Sequence, residues 1–124
     1  MALVELALII IVLVLLTFGA MEYGWLFFRL QQLTNAAWTG ARTAILPDAT
    51  NAGVESTVDA LMAAWDMYGH TTTISVGDVT LVEPGAIVQV TVSVPTANVQ
   101  LMGLSILPRP TTLRASASMA KEGP

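Results

Sequence analysis

Residues 6–21 contain no charged residue, and Glu5 lies immediately before them. Counted from Met1, this run makes about 30 Å of α-helix, which is the thickness of a bilayer's hydrocarbon core. A carboxylate beside such a run is costly unless a cation pairs with it. The nearest cation is an α-amino group, either the chain's own or that of another copy. We therefore expect the helix to occupy two environments, first a bilayer and later a bundle of identical helices.

Length and composition limit the remaining possibilities. The 124 residues leave room for one long helix and one small domain. Only 11% of the residues are charged, against roughly 25% in soluble domains, and the deficit is concentrated at the N-terminus. The net charge of −4 and the scattered basic residues argue against nucleic-acid binding, which needs clustered Lys and Arg. The absence of cysteine excludes disulfides and thiolate metal sites.

Helical character continues beyond the apolar run. No proline occurs between Glu22 and Ile45, and Pro47 ends the pattern. The apolar residues of this stretch recur on one helical stripe: Leu26, Leu30, Leu33, Ala37 and Ala41. The sequence thus predicts one long helix over residues 1–46, with Gly19 and Gly24 either as small-residue contacts or as points where it loosens. Such a helix is about 70 Å long, which is more than a domain of this size can bury. Lipid or other subunits must therefore cover its first half.

Residues 47–124 predict an α+β head domain. It begins with a second amphipathic helix, Asn51–Tyr68, closed by Gly69 as a C-terminal cap. The rest alternates between apolar and polar residues, which indicates a small antiparallel sheet of about three strands whose apolar face the helices cover. The predicted strands are 72–82, interrupted by a bulge at 77–78, then 87–94 and 112–120.

The connection over residues 95–110 is unusually apolar for a loop. Loops normally run over the surface. This one is therefore expected either to tuck under the sheet or to touch another subunit. We favour the subunit contact, because exposed apolar patches often mark interfaces.

Candidate residues for chemistry are few. The only histidine, His70, stands beside the predicted helix cap, where a surface or capping role is more typical than a catalytic one. Asp78 and Glu83 flank a turn, but two carboxylates are few for a calcium site. There is no glycine motif of the kind that binds phosphate. We therefore predict a protein that is not an enzyme, with no catalytic, cofactor-binding or metal-binding residues and no cofactor.

Several segments carry a resemblance to a known family. Met1–Glu5 and the apolar run after it are similar to the start of a mature type IV pilin or pseudopilin. The segments Phe18–Gly24, Gln31–Ala37 and Gly40–Arg42 resemble the TadE-like family of the tight-adherence (Tad) system. Members of that family share an FG-x-x-E-[FY]-G segment, a Q-x-L-T-N-A-A segment and a G-A-R ending. The last strand, Ala115–Glu122, is similar to the family's Ala-rich C-terminal strand.

The resemblance implies a type IV pilin-like fold and a structural role. The chain would be a pilin, the subunit of an extracellular type IV-like or Tad-like pilus and thus of a helical homo-oligomer. It further implies an inner-membrane precursor, a prepilin peptidase that removes a leader before Met1, an assembly ATPase and a platform protein, with no nucleic acid required. Two alternatives stay open: a minor TadE-like pseudopilin that primes assembly, and a monomeric single-span membrane-anchored accessory protein.

Assembly contacts are predicted along the first helix. Glu5 is expected to pair with a neighbouring subunit's N-terminus. Family members commonly carry a basic or polar residue where Trp25 and Trp38 stand, so the two tryptophans indicate burial against neighbours. Glu22 and Arg29 share one helical face and either bridge subunits or form an ordinary solvated pair. The predicted assembly residues are Met1, Glu5, Glu22, Trp25, Arg29 and Trp38.

Overall fold

The computed structural model describes residues 1–123 and contains two helices and one sheet. The sheet is antiparallel, with strand order β1-β2-β3. This arrangement confirms the predicted α+β, pilin-like fold class. The elements are α1 (Ala2–Ala44), α2 (Asn51–Ala64), β1 (Thr71–Ile74), β2 (Ile87–Pro95) and β3 (Thr112–Ala120).

Helix α1 has two halves with different surroundings. Every residue from 2 to 18 is exposed, whereas residues 19–44 pack one face against α2 and the sheet. The N-terminal part of α1 is long and apolar enough to cross a membrane. The buried positions of the other half include most of the predicted stripe: Leu26, Leu33, Ala36, Ala37, Gly40, Ala41 and Ala44.

Small residues let α1 approach its neighbours closely. A Cβ placed on Gly40 would lie 2.9 Å from Cγ2 of Val58 on α2 and 3.1 Å from Cγ1 of Val90 on β2. Both valines are fully buried. Gly40 therefore marks the point at which α1, α2 and the sheet meet.

The C-terminal end of α1 is closed by the two residues that follow β3, Lys121 and Glu122. The Lys121 ammonium donates hydrogen bonds to the carbonyl oxygens of Ala44, at 3.2 Å, and Leu46, at 2.7 Å. The amide of Glu122 donates to the carbonyl of Ile45 at 3.0 Å. These donors satisfy carbonyls that a helix end otherwise leaves without partners.

Helix α2 is shorter than predicted, because it ends at Ala64 and not at Tyr68. Asp66 adopts the left-handed conformation, with φ 55°, and the amide of Met67 donates to the carbonyl of Met62 at 2.9 Å. This is a Schellman ending in which aspartate takes the position usual for glycine. The early ending turns the fully buried Met67 into the core, so the predicted glycine cap is not used.

The predicted first strand is wrong in its second half. Residues 79–81 form a 3₁₀ turn, not a strand. Asn51 accepts a hydrogen bond from the Val79 amide at 3.0 Å, and Asp78 accepts one from the Thr80 amide at 2.9 Å. Because side chains satisfy these amides, the segment needs no pairing partner. The bonds from Thr80 also lower the pKa of Asp78.

Strands β2 and β3 follow the predicted alternation. In their register Val90 lies opposite Ala117, and both face the helices. On the outer face Thr91 and Ser116 share a hydrogen bond of 2.8 Å. The fully buried residues of β2 are Val88, Val90, Val92 and Val94.

Candidate functional site

The α-amino group of Met1 and the carboxylate of Glu5 lie at the N-terminal tip of α1, away from the head domain. Met1 and Glu5 are exposed, and the Glu5 amide makes only the ordinary helical bond to the Met1 carbonyl, at 3.2 Å. Within residues 1–123 the one contact with salt-bridge geometry joins His70 Nε2 to Asp59 Oδ1, at 2.7 Å, and it is ionic only when His70 is protonated. Glu5 therefore does not pair with the chain's own α-amino group. A cation from another molecule is needed if this carboxylate is to be neutralised in an apolar environment.

A second group of contacts lies where α1 enters the head. We call residues 99–109 the junction loop. The indole N–H of Trp25 donates to the Val99 carbonyl at 2.7 Å. The amide of Met102 donates to Oε2 of Glu22 at 2.8 Å. Two consecutive parts of the loop are thus hydrogen-bonded to neighbouring turns of α1.

The far end of the junction loop is held in the same way. The Tyr23 hydroxyl donates to the Pro108 carbonyl. Leu107 lies over Gly19, where a Cβ would be 3.7 Å from its side chain. Gly19 thus serves as a small-residue contact, and α1 continues as a helix through it. The loop does not tuck under the sheet; it packs against α1 of its own chain.

Glu22 and Arg29 do not meet within the monomer. Glu22 is only 1% exposed, and its Oε1 has no hydrogen-bond partner among residues 1–123. Arg29 turns to α2, donating to the Trp65 carbonyl at 2.7 Å, and its guanidinium lies 4.6 Å from the centre of the Trp25 ring. Glu22, Trp25 and Arg29 therefore hold α1 to its own head. An additional contact with other subunits stays a prediction for them.

Exposed aromatic residues mark the opposite face of α1. Trp38 is 57% exposed, as its predicted role between subunits requires, although a single chain does not test that role. Phe27 and Phe28 are also half-exposed or more, and the Phe28 ring centre lies 5.7 Å from that of Trp25. Neither phenylalanine is among the assembly residues predicted from the sequence. The available signal was their place in the helix that continues from the apolar run, off the predicted buried stripe.

Side chains capable of chemistry are engaged in structural contacts. His70 joins α2 to the start of β1, with Nε2 bound to Asp59 and Nδ1 3.3 Å from the Met67 carbonyl. Asp78 caps its own turn. Residues 1–123 contain no group of three or more histidines and carboxylates arranged to hold a metal ion. The unusual surface of this chain is therefore the apolar helix and its junction with the head.

Comparison with known proteins gives a match in the same part of the chain. The family model described as "TadE-like protein" matches residues 1–42. The match confirms the resemblance over that segment, which contains every predicted assembly residue. The matched residues include the N-terminal stretch of α1 that is long and apolar enough to cross a membrane. No curated protein and no solved structure gives a significant match to the chain.

Proposed function

We propose that this chain is a pilin, the structural subunit of an extracellular Tad-like pilus, assembled through its N-terminal helices. The observation that carries the proposal is the exposure of every residue from 2 to 18 in the single chain. Apolar side chains on that scale require a cover. In the proposed cycle the inner membrane provides it first and sister helices provide it afterwards.

Transfer from lipid to a helix bundle changes the balance of forces. Apolar area stays out of water throughout, so the hydrophobic effect contributes little to the step. Close packing and charge pairing must supply the difference. A prepilin peptidase, an assembly ATPase and a platform protein are the partners that the Tad context suggests for processing and for driving the step.

Glu5 gives the bundle its register. We place its carboxylate beside the α-ammonium of a neighbouring subunit in a dry core, which requires Met1 to be the terminal residue after processing. Such a pair adds little net stability, but breaking it costs about 3–5 kcal/mol. A wrongly registered subunit leaves the charge without a partner and is therefore rejected.

Substitution of Glu5 tests the proposal. Glu5→Ala and the isosteric Glu5→Gln should leave membrane insertion intact, since both make the helix more apolar, and should abolish filaments. Membrane fractionation measures the first effect, and negative-stain images of sheared surface material measure the second. Glu55→Ala, an exposed glutamate of α2, is the matched control and should assemble normally. Normal filaments from Glu5→Gln cells would refute the charge pairing.

The same images separate the alternatives. A pilin predicts long fibres composed mostly of this chain, whereas a priming pseudopilin predicts fibres that contain little of it. A monomeric accessory protein predicts that the chain stays in the membrane fraction. The N-terminal mass of surface-exposed protein checks whether Met1 is the processed terminus.

A further inference from the structure

We propose that the junction loop rests on the bilayer surface before assembly, with its exposed apolar side chains among the lipid headgroups and first acyl carbons. The inference depends on the membrane-anchored stage of the proposed function, but not on the filament stage. It assigns a lipid-binding surface to the head itself, in addition to the helix that spans the membrane.

The depth of the loop along α1 is the first argument. A hydrocarbon core takes about 20 helical residues, so a span that begins at Ala2 reaches the far interface near Met21. The junction loop is bound to α1 at this level, from Gly19 to Trp25. The membrane surface and the loop therefore coincide along the helix axis.

The chemistry of the loop fits an anionic lipid surface. Ile106 is 70% exposed, Leu101 44% and Met102 38%. The one charged residue between positions 96 and 111 is Arg109, which is basic, although the whole chain has a net charge of −4. Acidic side chains are thus absent from the segment that would face anionic headgroups, to which basic residues are attracted.

Aromatic residues of α1 surround the same level. Tyr23, Phe27 and Phe28 are exposed there, and Trp25 is half-buried. Tyrosine and tryptophan favour membrane interfaces, where the ring is apolar and the polar atom finds a partner. In this chain those polar atoms bind carbonyls of the junction loop. The loop, Tyr23 and Trp25 are therefore joined at the level where the helix leaves the proposed membrane span.

Quenching by brominated lipids tests the contact. The chain has no cysteine, so single cysteines at Ile106, Leu101, Ile87 or Val12 can each carry one fluorophore. The labelled full-length variants are placed in phosphatidylcholine–phosphatidylglycerol vesicles with bromine either near the headgroup or deep in the acyl chain. Ile87 is the matched control: it is 68% exposed and pairs with Ala120, at the head end closed by Lys121 and remote from Gly19.

We expect shallow bromine to quench Ile106→Cys and Leu101→Cys several-fold more strongly than Ile87→Cys, and deep bromine to quench Val12→Cys. Equal quenching at Ile106 and Ile87, with Val12 quenched, would overturn the loop contact and leave the proposed function standing. An unquenched Val12 would refute the spanning helix and both proposals with it. The unlabelled Ile106→Cys variant can also be treated with a water-soluble maleimide. If the reagent modified it in vesicles and failed to do so only in filaments, the loop would be a contact between copies and the lipid assignment would be wrong.

Discussion

Lys121 shows how a charged residue can be structural without an ion pair. Its side chain is only 7% exposed, and its ammonium serves two carbonyls at the end of α1. A cation at this position also interacts favourably with the negative end of the helix dipole. From the sequence, Lys121 is merely one of five scattered basic residues, because nothing local indicates that the chain returns to the end of its first helix.

Lys121→Met should destabilise the head by about 1–3 kcal/mol, because the apolar stem is kept and the carbonyl hydrogen bonds are lost. Urea denaturation of the full chain in detergent, followed by tryptophan fluorescence, gives the change in free energy of unfolding. Arg114→Met on the exposed face of β3 is the control, with an expected change within about 0.5 kcal/mol. Equal stability of the two variants would show that Lys121 does not support the helix end.

Among the helices and strands, the features that follow from a repeating apolar pattern could be predicted from the sequence. The alternation in β2 and β3 and the stripe on α1 are each set by one buried face, so their extents agree with the structure. The end of α2 and the 3₁₀ turn at 79–81 depend instead on tertiary contacts. Asp66 adopts the left-handed conformation, which places Met67 in the core. The Asn51 side chain accepts a hydrogen bond from Val79, which lies far along the chain.

The junction loop was harder to predict for a related reason. Its apolar composition indicated a contact, and the two predicted options, beneath the sheet or against another subunit, did not include α1 of the same chain. Glu22 and Trp25 each carry a polar atom that needs a hydrogen-bond partner. Their positions in the sequence do not show whether that partner belongs to another subunit or to a loop far along the same chain. Only the three-dimensional path from β2 to β3 brings Val99 and Met102 to them.

Packing at Gly40 can be tested against a second glycine of the same helix. Gly40→Ala adds a methyl group within 2.9 Å of Val58, and such overpacking should cost about 1–3 kcal/mol. Gly24→Ala meets nothing within 4 Å and should gain up to about 1 kcal/mol from helix propensity. Thermal unfolding of both variants in the same detergent measures the difference. Similar shifts in the two would contradict the close approach of α1 to α2 and β2.

The whole molecule is a folded head with an uncovered apolar extension. The head is more than residues 47–123, because residues from 26 to 44 of α1 belong to its core. No residue of the extension, residues 2–18, is buried within the chain. The head is therefore stabilised by contacts within the chain, whereas the extension needs a cover from outside it, for which we propose lipid and then sister subunits.

Deleting residues 2–18 should yield a head that is soluble without detergent and nearly as stable as in the full chain. Size-exclusion chromatography reports its association state, and urea denaturation its free energy of unfolding. A longer deletion, of residues 2–26, is the control and should be clearly destabilised, since it also removes Glu22, Trp25 and Leu26. Loss of folding in the shorter variant would show that the extension stabilises the head after all.

The closure at Lys121 and Glu122 also determines which positions of the molecule are accessible. It holds the chain that leaves β3 beside Ile45, about 65 Å along α1 from Met1. An epitope or dye attached after Glu122 would accordingly lie at the opposite end of α1 from its apolar N-terminus. In the proposed cycle, cargo attached there would stay outside both the bilayer and the bundle of N-terminal helices.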